Sequence, residues 1–229
     1  MKLRKTTIFL VILLLVTIIF GINNIKTTHA NNNIVENIIG MNPIYKELEN
    51  YTVSIVSINP GLSICSGVVI GKDENYTYVL TCKHCLSLLE EYYVDHNKVK
   101  YIIATPEDDL LYLIVDGVLD KKVAVLAEMR TSLEENIYHV AYPSLHKNYT
   151  SNGKIIRYSE DWGFANLKVK HGCSGGGIFN RARELVGIVW GFYSKDNITI
   201  FEDIEDVKIF LEEVREIVKW KIRKNLIKL

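Results

Sequence analysis

The chain has 229 residues, 48% of them hydrophobic, enough to bury a sizeable core in one large domain or two small ones. Its 27 basic and 27 acidic residues cancel. Four of the bases (Lys2, Arg4, Lys5 and Lys26) lie in the first thirty residues, which hold no acid, so the rest of the chain carries 23 basic against 27 acidic residues. A mildly acidic body gives no electrostatic reason to expect nucleic acid binding, and no nucleic acid partner is expected.

Residues 1–30 read as an export signal: a basic start, an apolar run from Ile8 to Ile22, and Thr28-His29-Ala30 as a small-residue cleavage site. The alternative is an uncleaved anchor, although the run is short for a span of about 20 residues. Either reading puts the body outside the cytoplasm, secreted or extracytoplasmic. A membrane is a partner only if the segment stays attached. Residues 31–50 form a lead-in with a short helical piece. From residue 51 the pattern becomes short β-rich runs broken by turn residues: 52–58, 64–70, 76–81, 92–94, 99–104, 110–115 and 123–127. Asn59-Pro60-Gly61 and Lys72-Asp73-Glu74-Asn75 are turn signals. Met129 to Asn136 reads as a connector. A second set follows at 137–141, 154–158, 165–169, 177–179, 185–190 and 198–201. This spacing suggests antiparallel barrels or sandwiches, one over 51–128 and another over 129–202. In the tail, 203–229, apolar residues from Val207 to Ile222 recur at three and four, marking an amphipathic helix from about Ile204.

The four cysteines can form disulfides in an exported protein. Asn75, Asn148 and Asn197 each open Asn-X-Thr, which matters only in a glycosylating pathway.

Gly172-Cys173-Ser174-Gly175-Gly176 is the most informative run. Flanking glycines let a serine sit in a sharp turn with its hydroxyl exposed and backbone N–H groups free to meet an oxyanion. A serine hydroxyl needs a base, and His84 lies upstream in Thr81-Cys82-Lys83-His84-Cys85. A carboxylate on the far ring nitrogen fixes the tautomer, and Asp109 opens Asp109-Leu110-Leu111-Tyr112-Leu113.

These motifs, with the strand Cys65-Ser66-Gly67-Val68-Val69-Ile70 before the histidine and Gly187-Ile188-Val189-Trp190-Gly191 after the serine, resemble the trypsin/chymotrypsin superfamily of serine peptidases. The likeness covers about residues 51–219. It implies an all-β fold of two packed six-stranded antiparallel barrels with a C-terminal helix. It implies His84, Asp109 and Ser174 as catalytic residues meeting between the barrels. Gly172 and Ser174 would supply the oxyanion hole, and Val189, Trp190 and Gly191 would pair with the substrate backbone. Protein or peptide substrates are the implied partners, with no cofactor and no metal. Cys65 and Cys85 match a family bridge beside the histidine. Cys82 and Cys173 would both lie against the catalytic centre, either paired or as two small buried thiols.

Two departures indicate the branch. Cys173 stands where activated trypsins carry an acid that pairs with a new N-terminus, and no Ile-Val-Gly-Gly start is present. The chain is therefore more similar to the bacterial Deg/HtrA-type domain, without a PDZ module, and would be active on folding. Asp108 is the rival of Asp109, because a one-residue slip on a strand swaps faces. Cys82, His84, Cys85 and Cys173 would be the ligands of a metal site, but their spacing is not that of a zinc ribbon. Residues 165–171 and 190–193 are expected to wall the primary pocket. A non-enzymatic homologue that binds a peptide or protein in the same cleft is the alternative function.

Overall fold

The computed structural model describes residues 43–57, 63–86, 91–144, 147–160, 162–224 and 227. The expected signal segment, most of the lead-in and the Asn59-Pro60-Gly61 turn lie outside them. Residues Ile44–Leu229 form one compact unit.

A short helix, α1 (Pro43–Leu48), leads into the first barrel. Its strands are β1 (Thr52–Ser57), β2 (Ser63–Lys72), β3 (Tyr76–Cys82), β4 (Tyr92–Val94), β5 (Asn97–Ala104) and β6 (Leu110–Asp116). They close in the order β1-β2-β3-β6-β5-β4, with β4 returning to β1. The second barrel holds β7 (Asn136–Ser144), β8 (Lys147–Tyr158), β9 (Gly163–Ala165), β10 (Gly177–Phe179), β11 (Leu185–Tyr193) and β12 (Ile198–Asp203), closed as β10-β11-β12-β9-β8-β7. All named pairs are antiparallel, so the expected two six-stranded barrels are present. Among the described strands, closure into barrels leaves neither sheet with an edge strand.

Local chemistry explains the turns. Between β2 and β3 the Asp73 carboxylate accepts the N–H groups of Asn75 and Tyr76 at 2.8 and 2.7 Å. This is an Asx-type turn. Between β4 and β5, Asp95 and His96 both take positive φ, 42° and 73°. A two-residue hairpin needs that handedness. Its Asp95 carboxylate also accepts Ser54 N–H at 2.9 Å, tying the hairpin to β1.

The final helix, α2 (Ile204–Arg223), starts at the expected residue because Asp203 caps it, accepting Glu205 N–H at 2.8 Å. It buries Ile204, Val207, Phe210 and Val214. Ile222, expected on the same apolar stripe, is exposed.

Two strand expectations are corrected. Residues 123–127 form no strand among the described elements, only one bridge from Leu126 to Leu185. The segment changes partners as it passes between barrels: Ala124 N–H donates to Val69 O on β2, and Ala127 N–H to Leu185 O on β11. The strand expected at 165–169 lies earlier, at Gly163–Ala165. Beyond it Asn166 N–H donates to Lys154 O, and Thr199 binds Leu167 O at 2.5 Å, so the chain leaves the ladder.

Candidate active site

His84 lies in a single 3-10 turn, Lys83–Cys85, directly after β3. Three contacts to Asp109, which precedes β6, fix that turn. Lys83 N–H donates to Asp109 O at 2.6 Å, and His84 N–H to Asp109 Oδ1 at 2.9 Å. His84 Nδ1 is hydrogen-bonded to Asp109 Oδ2. One carboxylate thus holds both the backbone and the ring of the histidine. Asp108, the rival, faces elsewhere: its carboxylate accepts the Thr105 hydroxyl, and its carbonyl accepts Lys83 Nζ at 3.1 Å. The Cys65–Cys85 disulfide, with Cα atoms 6.1 Å apart, ties the turn to β2.

Ser174 sits on the opposing barrel in the glycine-rich loop before β10. Gly172 and Gly175 have φ of 89° and 79°. A Cβ on Gly175 would stand 2.1 Å from Thr81 Oγ1 and 2.2 Å from Ser66 O, so only glycine fits against the first barrel. Cys173 and Gly175 donate their N–H groups inward, to Lys170 O and Val189 O. Among the described residues, the N–H groups of Gly172 and Ser174 meet no protein acceptor.

His84 and Ser174 line one cavity of about 490 Å³ with His171, Trp190, Gly191 and Phe192. The serine hydroxyl is directed at Trp190 O, 3.4 Å away, rather than at the imidazole. His171 supplies the wall expected from residues 165–171, and its ring meets Phe192 edge-on at 5.5 Å. Lys168 and Val169 line a smaller cavity of about 140 Å³ instead.

Val189 is a correction. The motif predicts that it pairs with substrate, but it is 1% exposed and its backbone is committed. Its N–H donates to Gly176 O at 2.9 Å, and its carbonyl accepts Gly175 N–H. The β11–β12 register slips between Val189 and Gly191, leaving Trp190 unpaired with β12. The residues that meet the cavity are Trp190, Gly191 and Phe192, one position further along.

Cys82 and Cys173 are free thiols, so the alternative of a second disulfide is corrected. Cys82 Sγ donates to Val189 O at 3.0 Å, and burial pushes its pKa well up. Burial also raises Cys173, to about 11. The four-residue metal set is not assembled, because Cys85 is spent in the disulfide. Cys82, His84 and Asp109 do place ligand atoms within 4.8 Å of one another, but Cys82 is fully buried with its thiol on Val189 O, and His84 Nδ1 is bonded to Asp109.

Three further contributors become visible only in the fold. Ser66 is fully buried; its hydroxyl donates to Gly172 O at 2.9 Å and accepts Tyr142 N–H at 2.8 Å. His139 is fully buried behind the serine loop, its Nδ1 bonded to Gly177 O at 2.9 Å. Desolvation lowers its pKa to about 4, so it is neutral. Glu202, on β12, lines a second cavity beside His84. A serine or glutamate inside a strand carries no motif that marks such roles.

Residues 65–188 match the family model of the trypsin-like peptidase domain, more than half of the chain. Among solved structures, the chain is similar to an inactive-form serine-to-alanine variant of Rv3671c from M. tuberculosis H37Rv, at 18% identity and a TM-score of 0.66, covering 76% of this chain and 91% of that one. It is also similar to the serine endoprotease from Yersinia pestis, at 17% identity and a TM-score of 0.66, with 74% and 64% covered. Deg5 matches at 13% identity and a TM-score of 0.60, with 72% and 88% covered. No curated protein is close enough in sequence to count as a relative.

Proposed function

Belonging to the trypsin-like peptidase domain family, this chain is a serine endopeptidase, and we propose that Ser174, His84 and Asp109 are its catalytic triad. The observation that carries the triad is the double grip of Asp109 on His84. With Nδ1 held by the carboxylate, Nε2 is the ring atom left for Ser174, in the cavity the two residues share.

In the acylation step, Nε2 takes the Ser174 hydroxyl proton as Oγ bonds to the scissile carbonyl carbon. The carbonyl π electrons move to oxygen, and the unengaged N–H groups of Gly172 and Ser174 receive that oxyanion, each donor contributing roughly 3–4 kcal/mol. Collapse breaks the C–N bond, and the imidazolium returns its proton to the leaving amine. Water repeats the sequence on the acyl-enzyme and releases the acid. Ser174 must turn from Trp190 O toward His84, a side-chain rotation on the nanosecond scale. Substrate backbone would run along Trp190, Gly191 and Phe192.

Export is part of the proposal. The basic and apolar N-terminus supports it, as does a disulfide of the kind that persists in oxidising compartments. The mass of the mature N-terminus tests it: a chain beginning near Asn31 agrees, and an intact Met1 in the cytoplasm does not. Cleavage of a peptide library by the wild type and its loss in Ser174→Ala test the triad.

A further inference from the structure

A second cavity, of about 530 Å³, meets the first at His84 and Trp190. Its volume lies in the range of ligand sites, about 300–1,000 Å³. Glu107, Asp108, Asp109, Glu202 and Asp206 line it, and Trp162 closes it with Trp190. Glu202 is the decisive residue. It is 6% exposed, yet among the described residues its carboxyl has no hydrogen-bond or ion-pair partner. A buried carboxyl is ordinarily paired. Asp206 Oδ2, on the same cavity, is fully buried and accepts no hydrogen bond.

The bases near this cavity are engaged elsewhere. Lys83 Nζ donates to the carbonyls of Thr105, Pro106 and Asp108 at 2.9–3.1 Å. Arg130 holds Asp203 at 2.6 Å and Glu205 at 3.2 Å. His84 is bound to Asp109. What remains is an acidic chamber with two aromatic walls, the Trp162 and Trp190 rings being 5.0 Å apart.

We infer that this chamber is a subsite for a cationic arginine or lysine side chain of the substrate, at a position neighbouring the residue held in the Ser174 cavity. The inference rests on the endopeptidase reading for its occupant. Successive side chains of an extended substrate point to opposite sides. One that enters the Ser174 cavity therefore leaves a neighbour directed at the other chamber. A guanidinium is the better guest, because it stacks on indole faces and bonds carboxylates in pairs. The lining acids do not converge on a point. None of Glu107, Asp108, Glu202 and Asp206 belongs to a group of three ligand atoms within 4.8 Å, which favours an extended cation over a compact metal ion. Burial and the surrounding acids, Asp206 foremost, raise Glu202 to about 8, a penalty that an arriving cation relieves.

The test uses the full chain carrying Ser174→Ala, so that binding is read without cleavage. One arginine is moved through every position of an otherwise uncharged hexapeptide, and each peptide is compared calorimetrically with its citrulline counterpart, which is neutral and of similar shape. At one position arginine should bind at least about ten-fold tighter, equivalent to 1.4 kcal/mol. Adding Glu202→Gln, or separately Asp206→Asn, should bring that ratio close to one while the melting temperature stays within a few degrees. Equal affinities throughout, no binding of either series, or a ratio that survives both variants would overturn the subsite. Failure of the peptidase reading shows separately, as a wild type that cleaves no peptide.

Discussion

The hydroxyl of Ser66, on β2 of the first barrel, donates to the carbonyl of Gly172, on the serine loop of the second, at 2.9 Å. Ser66 N–H donates to Ser174 O at the same distance, and its carbonyl accepts Thr81 Oγ1 at 2.7 Å. The loop carrying the proposed nucleophile is thus held by the barrel carrying the proposed base. Ser66→Ala keeps the backbone bond but strands Tyr142 N–H and Gly172 O. Both groups are part-buried, and leaving one unsatisfied costs at most about 1–3 kcal/mol. The expected outcome is a lower melting temperature and a larger fall in kcat than rise in KM; unchanged kcat would mean that the loop holds its shape alone.

Gly175→Ala should be far more damaging. The added methyl meets Thr81 and Ser66 O at near-bonding distances, and φ is 79°. Loss of at least about 3 kcal/mol is expected from overpacking and the left-handed backbone together. Denaturant unfolding of the variant, or its recovery as insoluble protein, checks this.

The Cys65–Cys85 bridge closes a loop with a sequence separation of 20. Its removal by Cys65→Ala with Cys85→Ala should cost on the order of 3 kcal/mol. The same bridge anchors the His84 turn, so activity should fall along with stability. An equal melting temperature with and without reductant would show that the bridge is not formed.

Two buried groups give opposite pH dependences. His139, lowered from 6.5 to about 4, binds fewer protons folded than unfolded. Its stabilising contribution is complete above pH 6.5 and is lost as pH falls toward 4. Glu202, raised from 4.5 to about 8, does the reverse: its contribution is complete below 4.5 and is lost as pH rises through 8. Around it stand Asp206, Asp203, Asp108 and Asp109, with Arg130 bound to Asp203. Glu202→Gln should therefore flatten the decline of stability between pH 5 and 8. Binding of the arginine peptide should strengthen over the same interval, because the guest favours the ionised carboxylate. A melting profile that Glu202→Gln leaves unaltered would contradict this.

Much of the frame is legible in the chain. Alternating apolar runs and turn residues mark the strands of both barrels, and the change of period after residue 203 marks the helix. What escapes is pairing that depends on two distant segments. Residues 123–127 look like a strand but divide their hydrogen bonds between barrels. Val189 sits in a motif that points at substrate, yet its register against Gly175 and Gly176 turns its backbone inward and passes the surface to Trp190, Gly191 and Phe192. Cys82 and Cys173 lie close to the same centre, but the Cys82 thiol is taken up by a carbonyl. Ser66 and Glu202 are ordinary residues on ordinary strands. Their importance arises only when β2 meets the serine loop and β12 meets the loop before Asp109.

The central claim is that Ser174 is the nucleophile and His84, oriented by Asp109, its base. A fluorophosphonate labels an activated serine covalently, and peptide mass mapping finds the residue that carries it. The wild type should carry one label, on Ser174. It should be absent in Ser174→Ala, and its rate should fall on the order of 10³-fold or more in His84→Ala. No label, a label on another residue, or an undiminished rate without His84 would contradict the account.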